Sequence, residues 1–362
     1  MKNIAIWFLW FALAETAVYL VSLLFGKKQI KKGAVKAALI ILELVLGSAL
    51  ALLVIAGPVS LRKLQFFMTA MYVALFGEAA KNIVCLLPGL NRCGKGARRV
   101  ISLVFGLAFF VFGTLNMQNV TANRCSYSSG KLDRSYRAVF VSDVHVGGSQ
   151  PFAVDRKMVE EIKALDPDFV ILGGDITDDY TTREEAEEFY ALFKDFPSDV
   201  YFIYGNHDRQ HDAAFADGPQ YTENELKDMI TRNGIAILQD EFVQIGDDLT
   251  LLGREDVSES SRKDPAELEN PYPGTFLLTA DHSPYEKDDI RATGSDLQLS
   301  GHSHAGQFFP LEYVYELTGC DAFGDYVYGS TVSHVSPGAS GWRIPFRSSR
   351  HSSYEVVSLI PA

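Results

Sequence analysis

Asp143, His145, Asp175, Asn206, His282, His302 and His304 carry only oxygen and nitrogen donors, and each stands just past a short apolar run. Ala138-Val139-Phe140-Val141 leads into Asp143-Val144-His145. Phe169 to Gly174 leads into Asp175, and Val200 to Gly205 leads into Asn206-His207-Asp208. Thr275 to Ala280 leads into Asp281-His282, and Leu297 to Gly301 into His302-Ser303-His304. Seven such donors without a sulfur are too many for one tetrahedral zinc, which takes three or four. They suit two hard or borderline divalent cations sharing one carboxylate. Two cations about 3.5–4 Å apart activate a water and clamp both oxygens of a phosphoryl displacement. Bound water then loses its proton near neutral pH without a protein base. His207 follows a ligand directly and points elsewhere, so it is suited to protonating the leaving oxygen or steadying the pentavalent phosphorus. Asp208 would orient His207 or hold the turn.

Each motif alone has a plain structural reading. An Asp-x-His pair is common, Gly-His-Ser-His can be a polar turn, and Asn-His-Asp can cap a helix. Their joint occurrence, each after a β-like run, is what makes the metal reading the stronger one. His211 also follows the Asn206 turn, and a solvent-facing histidine accounts for it. Phe308, Phe309, Tyr313, Tyr315 and Tyr326 form an aromatic, lipid-compatible stretch after the last ligands, although such residues more often belong to a core.

The elements that position these groups alternate. Helical periodicity covers 153–165, 183–193 (opened by Thr181-Thr182) and 223–233 (stopped by Gly234). From 235 onward strands dominate, at 235–238, 241–245, 249–252, 275–280, 297–299, 331–335 and 354–359. This order argues for an α/β domain over 137–362, a four-layer α/β/β/α sandwich with its ligand loops at one rim.

The first third is different in kind. Apolar stretches at about 4–25, 35–56, 66–87 and 100–119 each approach the ~20 residues that cross a bilayer. They define an N-terminal four-helix transmembrane region over 1–120, followed by a polar linker at 121–136. A cleaved signal peptide would explain the first stretch alone. Lys27, Lys28, Lys31 and Lys32 fill the first connection and Arg92, Lys95, Arg98 and Arg99 the third, against Arg62 and Lys63 in the second. The positive-inside rule then puts both termini, and the C-terminal domain, on the extracytoplasmic side of a cell membrane. Glu15, Glu43 and Glu78, with Lys81, lie at membrane depth, where a packing pair or a proton path are the two readings.

Charge is split along the chain. Residues 1–125 hold 14 of the 33 basic residues and 3 of the 45 acids. The acidic remainder argues against nucleic acid as a partner. The four cysteines have no zinc spacing, and Cys125 and Cys320 could pair in an oxidising compartment.

The blocks Asp143-x-His145, Gly174-Asp175, Gly205-Asn206-His207-Asp208, His282 and Gly301-His302-Ser303-His304 resemble those of the calcineurin-like metallophosphoesterases. Ser336-Pro-Gly-Ala-Ser-Gly and Arg347 narrow the resemblance to a membrane-associated branch. That branch includes bacterial phosphodiesterases and proteins like UDP-2,3-diacylglucosamine pyrophosphatase. The resemblance implies one metal on Asp143, His145 and His304, another on Asn206, His282 and His302, and Asp175 bridging them. It also implies His207 as the catalytic histidine, while the oxygen and nitrogen donors themselves accept manganese, iron or zinc. Ala305 and Asp281 depart from the family pattern without removing a ligand. The function so implied is a membrane-anchored hydrolase of phosphate esters or pyrophosphates, with a substrate that is lipid-linked or part of the envelope. Soluble phosphodiesters are the alternative, and a sensor without turnover or a transporter with an accessory domain are the rivals from other classes.

Overall fold

The computed structural model describes residues 61–84, 86–87, 94–211 and 218–362. The expected spans at 4–25 and 35–56, with Glu15 and Glu43, lie outside these residues. The chain divides into two units, 1–110 and 111–362.

Two long helices come first, α1 (Leu61–Val84) and α2 (Lys95–Gln118). Within α1, Lys81 pairs with Glu78 one turn earlier. Among the described residues, the only helix long and apolar enough to cross a bilayer is the stretch Gly96–Gln118. The length of α1 would suffice, but its apolar character does not reach the same threshold.

Residues 121–136 are not a free linker. Thr121–Ser129 is a strand, β1, paired in parallel with the final strand β12 (Ser353–Pro361). The polar composition hides a period of two. Cys125 and Tyr127 turn inward to pack against the core, while Arg124, Ser126 and Ser128 alternate with them. Only Asn119 and Val120 separate the end of α2 from this strand.

The globular unit is built on two six-stranded sheets. The first runs β1, β12, β2 (Tyr136–Val141), β3 (Phe169–Gly173), β4 (Asp199–Ile203), β5 (Ile235–Ile237). From β2 to β5 its pairings are parallel, and β12 joins β2 antiparallel. The second runs β10 (Gly324–Tyr328), β11 (Thr331–Val335), β9 (Leu297–Ser300), β8 (Phe276–Ala280), β7 (Leu249–Gly253), β6 (Glu241–Gln244). Its four inner strands are parallel and its edges, β10 and β6, antiparallel.

Alternation along each strand sorts the core into two. Ala138, Phe140, Phe169, Ile171 and Ile203 face Leu249, Leu251, Leu278, Leu297 and Leu299 between the sheets. Val139, Val141, Val170, Leu172 and Phe202 face the other way, onto α3 (Phe152–Ala164), α4 (Arg183–Tyr190) and α5 (Glu223–Thr231). Helices α4 and α5 each start with a full capping box, Thr182 with Glu185 and Thr222 with Glu225. The expected second helical layer is thin, since α6 (Lys287–Ala292) is the helix that meets β10 and β11. The other face of that sheet therefore tolerates buried Thr250, Thr279, Gln298 and Ser333.

Candidate metal centre

Strands β2, β3 and β4 of one sheet and β8 and β9 of the other present their carboxyl ends at one rim. The loops leaving them bond to each other. Asp143 N–H donates to the Gly174 carbonyl (3.0 Å), His145 N–H to the Asp175 carbonyl (3.1 Å), and Gly301 N–H to the His282 carbonyl (3.0 Å). Such lacing forces tight turns, and Asp143, His145, Asp175, His302 and His304 all adopt positive φ, between 47° and 67°. Non-glycine residues rarely take that conformation, and it concentrates at functional sites.

The turns aim the side chains inward. Asp143, His145 and His304 form one group of donors that converge, and Asp175, His282 and His302 form a second. In the first, His304 Nε2 lies 3.3 Å from Asp143 Oδ1 and 3.1 Å from His145 Nε2. Asp175 stands between the groups, its Oδ2 3.2 Å from His282 Nε2 and 3.9 Å from His145 Nε2. The Asn206-His207 turn is held against it, with His207 N–H donating to Asp175 Oδ1 at 2.9 Å.

Two observations test whether cations suit these residues. Asn206 Oδ1 is buried without a hydrogen-bond partner, a costly state that a cation would relieve. Two of the imidazoles are also held neutral, as ligation requires. Burial and the neighbouring His282 push His302 down to about 4, and burial with His145 beside it holds His304 well below the usual range. His282 is the exception. Burial disfavours its charge, yet the Asp175 carboxylate outweighs that and raises it, so a cation would have to displace a proton there. The residues fit two cations. His282 is fixed by its Nδ1 on the Gly173 carbonyl at 2.9 Å, which leaves Nε2 for the site.

His207 is oriented by a residue that the sequence reading missed. Its Nδ1 lies 2.8 Å from Asp179 Oδ2, and Arg343 Nη2 donates to the same oxygen at 2.5 Å. Burial works against its charge, but Asp175, Asp179 and Asp178 raise it to about 9. Its ring sits 5.6 Å from that of His145 and 5.7 Å from that of Trp342. Asp178 in turn lies 3.3 Å from His145 Nδ1. The signal for these two acids was their place in the loop directly after Asp175. Trp342 and Arg343 come from a distant loop and had no such signal.

Asp208 does not orient His207. Its carboxylate accepts the backbone N–H groups of Asp175 (2.9 Å), Thr177 (2.9 Å) and Gly205 (2.7 Å), so it holds the turn. It therefore supports the site without touching reacting atoms. Asp281 is likewise engaged elsewhere, by Arg262 at 2.7 and 3.1 Å. His211 pairs with Glu259 at the surface. Cys125 and Cys320 are both free thiols.

The model of the calcineurin-like phosphoesterase family matches residues 136–306, the stretch that supplies every one of these donors. Over that stretch the chain is similar to the calcineurin-like phosphoesterases. An uncharacterized metallophosphoesterase of Helicobacter pylori is 28% identical over 242 residues, covering 64% of this chain and 61% of that protein. The chain thus spans about three-fifths of that relative's length. A Danio rerio transmembrane protein with metallophosphoesterase domain is 27% identical over 363 residues, 89% of this chain and 79% of the other. The phosphodiesterase YaeI of Escherichia coli is 26% identical over 210 residues, 52% of this chain and 72% of the other. The two converging donor groups lie within the matched stretch and are possible metal-binding residues.

Proposed function

We propose that the chain is a membrane-anchored phosphoesterase that works with two divalent cations on esters or pyrophosphates of lipid-linked or envelope substrates. One cation would be held by Asp143, His145 and His304 and the other by Asn206, His282 and His302, with Asp175 shared. The observation that carries this reading is the position of Asp175, whose carboxylate reaches toward both donor groups. Two cations there would supply Lewis-acid activation of the attacking water and neutralise charge on the phosphoryl group.

The chain's own residues do the rest. His207, locked by Asp179 through Nδ1, directs Nε2 away from that bond and can give a proton to the leaving oxygen. Arg343 donates to the same Asp179 oxygen and holds that carboxylate in place. Anchoring by α2, and by the expected further spans, would limit the search for substrate to the membrane plane.

The deciding experiment uses the purified full chain in detergent and in vesicles. Metal analysis should return about two cations per chain. Hydrolysis of bis(p-nitrophenyl) phosphate should be lost in D175N, which leaves the shared position without its charge. Retained activity would overturn the dinuclear reading. Equal rates on the soluble ester and on a lipid-linked pyrophosphate would favour the soluble alternative.

A further inference from the structure

Helix α7 (Leu311–Leu317) is built inside out. Its acid, Glu312, is buried at 4% exposure and accepts the Ser349 hydroxyl at 2.8 Å. Tyr313 and Leu317, four residues apart on one face, are 50% and 87% exposed, and Phe309 just before the helix is exposed with them. Val327 on the edge strand β10 is exposed as well. Glu316 is the one acid that shares the outward side. An apolar face turned to solvent over a carboxylate turned inward is the reverse of what water selects.

The place of this helix in the fold says what covers it. The last turns of α2 are tied to the loop beneath α7. Arg347 N–H donates to the Gly113 carbonyl at 2.9 Å, and Asn116 Nδ2 donates to the carbonyls of Arg347 (3.1 Å) and Arg350 (3.2 Å). The Phe346 ring fills the space a Cβ on Gly113 would take, and it stacks on Phe308 at 6.0 Å. Ser348 Oγ then accepts the Phe309 N–H at 2.6 Å. The end of α2 also keeps exposed apolar residues, Val111, Phe112 and Leu115. With two residues between α2 and β1, no tether can lift the domain away from the level at which α2 ends.

We infer that the Phe309–Leu317 segment is an interfacial helix that lies on the lipid bilayer, with Phe309, Tyr313 and Leu317 among the headgroup ends of the acyl chains. Aromatic and aliphatic side chains of this kind settle at that depth, and the exposed Arg350 beside the segment suits anionic headgroups. The segment begins five residues after His304, so the bilayer would be brought near the rim that carries the metal-centre residues. This inference rests on the reading of α2 as a membrane anchor.

The test places one tryptophan at a time in the full chain. L317W and Y313W are compared with K157W, on the exposed side of α3, in vesicles containing phosphatidylcholine brominated near the headgroup end of its acyl chains. Position 317 is exposed, so folding is not at risk, and wild-type fluorescence is subtracted. Added fluorescence at 317 and 313 should be quenched severalfold more than at 157. An alkaline wash of the vesicles reads the anchor separately. A chain that stays with the vesicles while 317 is no more quenched than 157 overturns the inference and leaves the anchor standing. A chain released by the wash with 317 unquenched overturns both. Shielding of 317 that follows protein concentration rather than lipid also overturns it, in favour of a second copy as the occupant.

Discussion

His207 and Asp208 are neighbours in the chain with separate work. His207 reaches into the site through its bond to Asp179, and Asp208 faces the other way, into three backbone N–H groups. H207A should therefore lower kcat for bis(p-nitrophenyl) phosphate by about 10²–10⁴-fold, the usual worth of a positioned proton donor, while the metal content stays that of the wild type. D208A should act through the fold instead. It leaves buried N–H groups of the Asp175 and Gly205 turns unpaired, at about 1–3 kcal/mol each. Its signature is a lower unfolding midpoint together with lower metal content, and an unchanged midpoint would count against the assignment. Burial and repulsion from Asp175 already raise Asp208 to about 6, so the turn holds it at some electrostatic cost.

The loops between strand and helix carry the strain. Gly174 sits at φ +85°, and a Cβ there would meet Gly205 N and His282 Nδ1, each at 2.7 Å. G174A should thus displace the His282 ring as well as cost stability, and activity should fall even where the protein is still folded by circular dichroism. The loop from Pro337 to Arg350 depends on Arg347, a fully buried guanidinium that donates to the carbonyls of Pro337 (3.0 Å), Ser340 (2.7 Å), Arg350 (3.1 Å) and Ala305. Burial lowers its pKa to about 10, yet it stays charged at neutral pH. R347M should strand several acceptors at once and cost more than R347K, again about 1–3 kcal/mol per group, read as the difference in denaturation midpoint.

The globular unit holds itself together at two points that titrate or bind. Chelation of divalent cations should lower the unfolding midpoint as well as abolish hydrolysis, because cations bind the folded site and not the unfolded chain. The second point is His334, between Asp325 (2.6 Å) and Glu355 (3.2 Å), with Tyr127 on the same nitrogen as Asp325 and Cys125 nearby. Burial opposes its charge, but the two carboxylates raise it to about 9, above its unfolded value near 6.5. A raised value gives stability that is complete below about pH 6.5 and is lost as pH climbs through about 9. This histidine joins β11 of one sheet to β12 of the other. H334Q should flatten the decline in unfolding midpoint over that window, and an unaltered slope would show that other groups cause it.

How much of this could be read before folding follows from where the information lies. The apolar runs that end in Asp143, Asp175, Asn206, His282 and His302 announce parallel strands and their rim, because the period of a strand and the place of its terminal polar residue are local properties. The helices at 153–165, 183–193 and 223–233 were legible for the same reason, down to the Thr182 cap. Strand β1 was not, since a half-buried edge strand needs only Cys125 and Tyr127 to face inward, and its partner β12 lies more than two hundred residues away. The role of Asp179 over Asp208, the brace at Arg347 and the outward face of α7 were equally out of reach. Each depends on which groups from distant loops arrive within hydrogen-bond distance, and that is set by packing of the two sheets, not by neighbours in the chain.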